Sequence, residues 1–162
     1  MKNKVKALIS HLIIVGVSSI LLLMFVAIAP AIGKYTNYIA IRVPLVIVLI
    51  LSYVYVGTTL LDTKMDKKYD FLTGSIITVI GVGLWLYTFL RTGKILNNIP
   101  EELSEYWILF NFYYIPFTIT YSLLDITITP LLGLFTNFVS SLLIGIGLSY
   151  KRLKMQRKYL TD

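Results

Sequence analysis

Between Lys6 and Lys34 the chain runs for 27 residues with a single titratable side chain, His11. An apolar run of about 18 or more residues is long enough to cross the ~30 Å hydrocarbon core of a bilayer. Further runs of this kind cover about 43–61, 71–90 and 131–150 of the 162 residues. Composition agrees, with 57% apolar and 14% charged residues against about a quarter charged in a soluble domain. A soluble globular domain, a disordered chain and a collagen-like fibre are therefore excluded. The sequence predicts an all-α, polytopic integral membrane helix bundle forming one membrane domain over 1–162.

The chain has no cysteine and one histidine. Disulfides, thiolate metal sites, iron–sulfur clusters and thiol nucleophiles are ruled out, a multi-histidine metal site is disfavoured, and no metal or cofactor is expected. No glycine-rich phosphate loop, nucleophile elbow or Ser/His/Asp set at a common depth can be assembled, so the chain reads as a non-enzyme. A net charge of +7 would suggest nucleic acid in a soluble protein. Here it reflects the positive residues that cytoplasmic loops of membrane proteins collect, and no nucleic acid partner is expected.

The first span, about 7–33, follows Lys2, Lys4 and Lys6. At 1.5 Å per residue it is roughly 40 Å long and has to tilt or leave a turn at the interface. Its basic start and Ala27-Ile28-Ala29 have the outline of a signal peptide, but the run exceeds the usual 7–15 apolar residues and Pro30 would directly follow the cut. The second span, about 43–61, accommodates Pro44 as a first-turn proline. The third, about 71–90, has Asp70 before it as N-cap, and the polar stretch from Asp62 to Asp70 makes spans two and three an antiparallel pair. The last, about 131–150, is entered through Thr129-Pro130, a cap followed by a first-turn proline.

Ahead of that last span, Tyr106 to Tyr121 is aromatic at eight of sixteen positions, with Pro116 inside. Aromatic residues concentrate at headgroup level, so about 106–124 is expected to be an interfacial or re-entrant segment at the outer face. With four crossings and a cytoplasmic N-terminus, eleven of the 15 Lys and Arg residues fall inside and four outside; a fifth crossing, the alternative, leaves six inside and nine outside. The positive-inside rule favours four crossings with both termini cytoplasmic, and a bacterial plasma membrane is the expected location.

On the last span Gly133, Asn137, Ser141, Gly145 and Ser149 recur at every fourth position and share one helix face. Such faces let helices approach closely in lipid, which makes the stripe a packing surface first and the lining of a polar path second. Gly74, Thr78 and Gly81, Ser52 and Thr59, and Gly16, Ala27 and Ala31 offer small positions on the other spans. Asp125 is the one charge between Tyr106 and Tyr150. At membrane depth it would be a functional candidate for proton or ion coupling; at the surface it would help start the last helix or pair with Arg91 or Lys94. His11, about one turn inside the cytoplasmic end, reads as interfacial or as a group handling protons near neutral pH, too distant from Asp125 to be its direct partner. Tyr106, Trp107, Tyr113, Tyr114 and Tyr121 form a candidate cleft for a lipid or apolar ligand.

Asp62, Asp66 and Asp70 are spaced to offer oxygen ligands to magnesium, but Lys64, Lys67 and Lys68 neutralise them in place, and a solvated turn is expected. Lys151 to Lys158 carries five cations that anchor the tail against anionic lipid headgroups. The function expected is that of a small non-enzymatic membrane protein, an accessory, regulatory or immunity-type subunit that docks its helices or outer aromatic face on another membrane protein or further copies of itself. The alternative is a homo-oligomeric small-solute or ion transporter or channel lined by Asp125, Asn137 and Ser141.

Overall fold

The computed structural model describes residues 2–32, 39–63, 67–93, 97 and 99–161, with backbone alone at 29–32 and 158–161. Gly33, Lys34, Lys64, Asp66, Lys94 and the side chain of Ala31 lie outside the described residues. The described residues are helical, without a strand: α1 (Lys2–Ile32), α2 (Ile39–Thr59), α3 (Ser75–Arg91), α4 (Ile108–Tyr113), α5 (Ile115–Leu123) and α6 (Pro130–Thr161), with tighter 3-10 turns at Lys67–Leu72 and Glu101–Trp107. Four helical stretches, Lys2–Ile28, Ile39–Thr59, Lys67–Arg91 and Pro130–Arg157, are long and apolar enough to cross a membrane.

Side-chain contacts fix how the ends meet. Asn3 exchanges hydrogen bonds with the backbone of Asp62, Lys6 reaches the Asp62 carboxylate at 3.0 Å, and Lys151 donates to the Leu61 carbonyl at 2.6 Å. The start of α1, the α2–α3 connection and the end of α6 therefore lie together, at what we call the basic end. At the opposite end Arg42 of α2 meets Asp125, and Trp85 of α3 donates to the carbonyl of Pro130 at 2.7 Å.

Three local expectations change. Pro44 is not a first-turn residue: α2 begins at Ile39, so Pro44 is its sixth residue, and the missing amide leaves the Ala40 carbonyl without its helical donor. Asp70 does not cap α3, which starts at Ser75 behind Gly74 with no side-chain cap. Nor does Asp70 belong to a solvated turn. It is fully buried, and its carboxylate takes two hydrogen bonds from Arg152 Nε, at 2.8 and 3.0 Å, and one from Ser149 Oγ at 3.3 Å. A carboxylate removed from water needs such partners, and a cation on the facing helix supplies the charge. Arg152 and Lys151 are thus tied into the fold, Arg152 also donating to the Thr63 carbonyl at 2.8 Å, and are not simply part of a lipid-facing tail. The start of α6 does carry its cap, the Leu132 amide donating to Thr129 Oγ1 at 3.2 Å behind Pro130.

The aromatic segment is a helical hairpin whose two limbs are α4 and α5. Tyr106 lies at the opposite end, where its carbonyl accepts from Thr88; the chain descends through α4, turns at Tyr114, and returns through α5 to Asp125 beside Arg42. Pro116 opens α5 instead of breaking a helix, because a first-turn proline has no helical partner to lose. The return limb closes by two bonds, Ile126 N–H to Tyr121 O at 2.8 Å and Asp125 N–H to Ser122 O at 3.2 Å, with Asp125 at φ 55°. This is a Schellman closure with aspartate at the left-handed position usually filled by glycine. Asp125 therefore ends α5 and does not start α6; its partner is Arg42, at 2.5 Å, in place of Arg91.

Close packing centres on α6. A side chain at Gly57 would strike the Ile144 carbonyl and Gly147, and one at Gly147 would strike the Val54 carbonyl, so α2 and α6 touch backbone to backbone. The Gly133–Ser149 stripe faces α3 and its approach within the same chain: Gly133 abuts Phe110 and Trp85, Ser141 abuts Gly74, and Gly145 abuts Phe71. By contrast Gly16 has no neighbour within 4 Å and Ala27 is exposed, so these two small positions of α1 are not used for packing within the chain. Among the described side chains of α1 the buried ones are Asn3, Ala7, Ser10, His11, Val15 and Ser18, spaced by three and four along one narrow face.

Candidate functional site

The tip of the hairpin places Tyr113 and Tyr114 in the bundle interior, between α1, α3 and α6. His11 of α1 meets them there and is fully buried. Its ring lies edge-on to Tyr113, with centroids 4.6 Å apart, and 5.7 Å from Tyr114. Its Nδ1 is 3.0 Å from the hydroxyl of Tyr53, a fully buried residue of α2. Tyr53 in turn stacks on Phe117 of α5. The centre is thus assembled from every long helix and both limbs of the hairpin.

On its α3–α6 side the centre is held by backbone oxygens. Tyr113 donates to the Ile77 carbonyl at 3.2 Å, while Tyr114 lies 3.5 Å from both the Ile77 and Asn137 carbonyls. Thr78 donates to the Asn137 carbonyl at 2.9 Å. Only glycine fits at position 81, since any side chain there would collide with the Tyr114 hydroxyl and the Asn137 amide oxygen. The Asn137 amide nitrogen donates to Gly133 and Leu134 carbonyls of its own helix, both at 3.1 Å.

Three polar atoms in this region have no hydrogen bond: His11 Nε2, Asn137 Oδ1 and Ser140 Oγ, all on residues with no exposed surface. The backbone of Tyr113 lies beside His11, and the Tyr53 hydroxyl beside Ser140, but neither pair reaches hydrogen-bond geometry. The consequence for histidine follows from valence. If Tyr53 donates to Nδ1, Nε2 carries the ring proton and is an unused donor; if Nδ1 donates to Tyr53, Nε2 is an unused acceptor. Buried polar atoms are paired in the great majority of cases, and a group of unpaired ones calls for an explanation.

The structure gathers residues that the sequence presented separately: His11, the path-lining Asn137, and Tyr113 and Tyr114 of the aromatic set. The other candidates lie elsewhere. Asp125 is at the opposite end with a 77% exposed side chain. Ser141 donates to the Phe71 carbonyl at 2.7 Å, and Ser149 serves Asp70. The aromatic set does not make an open outer cleft: Tyr106 is exposed, Trp107 is buried against Phe110, and Tyr121 bonds to Thr136 at 2.8 Å. The rings fill the core because the hairpin folds inward, where their hydroxyls find backbone acceptors. Tyr53 and Ser140 were not singled out by sequence reading. The available signal was on α1, where Asn3, Ser10, His11 and Ser18, the polar residues of its buried face, mark one stripe.

Comparison with protein-family models, curated proteins and solved structures finds no match for this chain.

Proposed function

We propose that this chain is a small multi-pass membrane protein that takes up and passes a proton at the His11 centre, as a transporter or channel, with the basic end cytoplasmic in a bacterial plasma membrane. The observation that carries this reading is the cluster of unpaired, fully buried polar atoms on His11, Asn137 and Ser140. An ionisable residue inside a membrane is costly and marks a functional site by default. Around His11 stand Tyr53, Tyr113 and Tyr114, with no carboxylate, lysine or arginine hydrogen-bonded to it among the described residues. A proton arriving at the free ring nitrogen makes an imidazolium; its departure restores the neutral ring. Tyr53 can reverse its hydrogen bond to suit either state, turning its hydroxyl hydrogen toward Ser140. Buried Ser18, one face-repeat above His11 on α1, and the Tyr121–Thr136 pair extend hydroxyl groups toward the opposite end. The polar path proposed here runs through His11 and Asn137, with Asp125 outside it.

The test is proton flux into proteoliposomes under an imposed pH gradient. Wild type is expected to exceed empty vesicles, and His11→Phe to abolish the excess while remaining monodisperse. Tyr53→Phe, which keeps the ring, is expected to reduce it several-fold. Flux equal to that of empty vesicles, or unchanged in His11→Phe, would overturn the reading.

A second reading, the accessory, regulatory or immunity-type subunit, draws support from a different feature. From Leu21 to Ile28, α1 has no buried residue, an apolar surface that a partner helix would cover. The stripe on α6 and the aromatic hairpin no longer argue for it, since both pack within the chain. A defined hetero-complex in native mass spectrometry, dissociated by Leu23→Arg, would favour this second reading.

A further inference from the structure

We infer that the groove between α1 and α2 binds one anionic phospholipid, an acyl chain lying along the groove and the phosphate seated at Lys6 and Lys151. The groove has a volume of about 430 Å³ and is walled by Ile13 and Ile14 on one side and Val48, Leu51 and Tyr55 on the other, with Leu60 at its basic end. That volume lies within the ~300–1,000 Å³ of small-ligand sites. Its lining exposes no polar surface; Ser52, on the wall, turns its hydroxyl to the Leu49 carbonyl at 2.6 Å. From Val48 to Leu60 the wall is about 18 Å long at 1.5 Å per residue, on the order of one leaflet of a ~30 Å hydrocarbon core. A chain-shaped apolar occupant of one leaflet fits this space.

Charge at the mouth selects the headgroup. The Lys6 ammonium is 3.5 Å from the Leu60 carbonyl and the Lys151 ammonium 3.4 Å from the Thr59 carbonyl, so two cations converge where the groove ends. Lys6 is shared with Asp62 and is 45% exposed; among the described residues Lys151 meets carbonyl oxygens and no carboxylate. The described side chains of the basic end comprise nine cations against the carboxylates of Asp62 and Asp70. A phosphate with no compensating positive charge of its own is the complementary headgroup, and basic residues near a membrane surface attract anionic lipid individually as well as in clusters. The site is separate from the His11 centre and stands or falls without it.

The experiment is native mass spectrometry of protein released from vesicles of equal phosphatidylglycerol and phosphatidylcholine with identical acyl chains. One phosphatidylglycerol per chain is expected, at about a tenfold preference. The preference should fall to near parity in Lys6→Gln/Lys151→Gln, and Leu51→Trp, which fills the groove, should lose both lipids. Inorganic phosphate should not displace the lipid. Equal retention of the two lipids by wild type, a preference that survives in the glutamine pair, or displacement by phosphate alone would overturn the inference. If the double variant does not fold, Lys6→Gln alone decides in the same way.

Discussion

The first and last helices make an instructive pair. Over its most apolar window α1 is the more hydropathic of the two, yet 17% of that window is buried, against 50% for α6. In water this ordering would be reversed. Apolar side chains gain little by leaving a lipid solvent, so in a bundle that spans a bilayer a helix apolar on most of its faces is expected at the periphery. Association is driven by close packing and interhelical hydrogen bonds, which small and weakly polar residues provide. Gly133, Asn137, Ser140, Ser141, Gly145 and Gly147 therefore put α6 at the centre, while α1 contributes one narrow polar face and leaves the rest uncovered.

Substitutions can break this contrast, and the largest effect is expected where α6 holds a charge pair. Asp70→Ala leaves Arg152 partly buried without its carboxylate and is expected to cost about 3–5 kcal/mol, measured by reversible unfolding in detergent or bicelles. A near-neutral result would mean that the basic end of α6 is not anchored as described. Next comes glycine against glycine. Gly147→Leu forces α2 and α6 apart and should cost at least the upper end of ~1–3 kcal/mol, whereas Gly16→Leu, with open space around it, should stay within about 0.5 kcal/mol. Similar losses at the two sites would erase the distinction between a central and a peripheral helix. Thr129→Ala removes the hydroxyl that caps α6 and is expected to lower stability by about 1 kcal/mol, readable as a shift in the thermal unfolding midpoint. The smallest change is expected for Asp125→Asn: the pair with Arg42 is largely exposed on its acidic side, such pairs contribute at most about 1 kcal/mol, and asparagine also tolerates the left-handed backbone.

How much of this was legible in the sequence depends on the range of the interaction. Four apolar runs and the Thr129-Pro130 start of α6 are local properties, and length with spacing reveals them. The stripe from Gly133 to Ser149 is equally local, although its partner, the α3 side of the same chain, is not. Asp70 and Arg152 lie 82 residues apart, and nothing near Asp70 distinguishes a buried carboxylate from the solvated turn expected there. The aromatic segment was legible in outline, as a helix pair that folds in and returns, but not in its contacts. Composition offered an interfacial or a re-entrant segment without choosing, because tyrosines suit an interface and also enter an interior when carbonyls such as that of Ile77 accept their hydroxyls. His11 was recognised as unusual, yet its depth became visible only with Asn3, Ser10 and Ser18 on the same face. Gly57 and Gly147 do not belong to a four-residue repeat and so escaped a search for one.

The hairpin also imposes an order of assembly. Its tip finds acceptors and walls on α3 and on α6, and α6 is synthesised after both α3 and the hairpin itself. Until Asn137 arrives, the turn at Tyr114 has only part of its surroundings, and the Tyr114 hydroxyl lacks one of the two carbonyls it faces. In a chain inserted from its N-terminus, the segment that precedes α6 in sequence is therefore expected to follow it in folding, waiting at the surface until α6 completes the cavity that receives it.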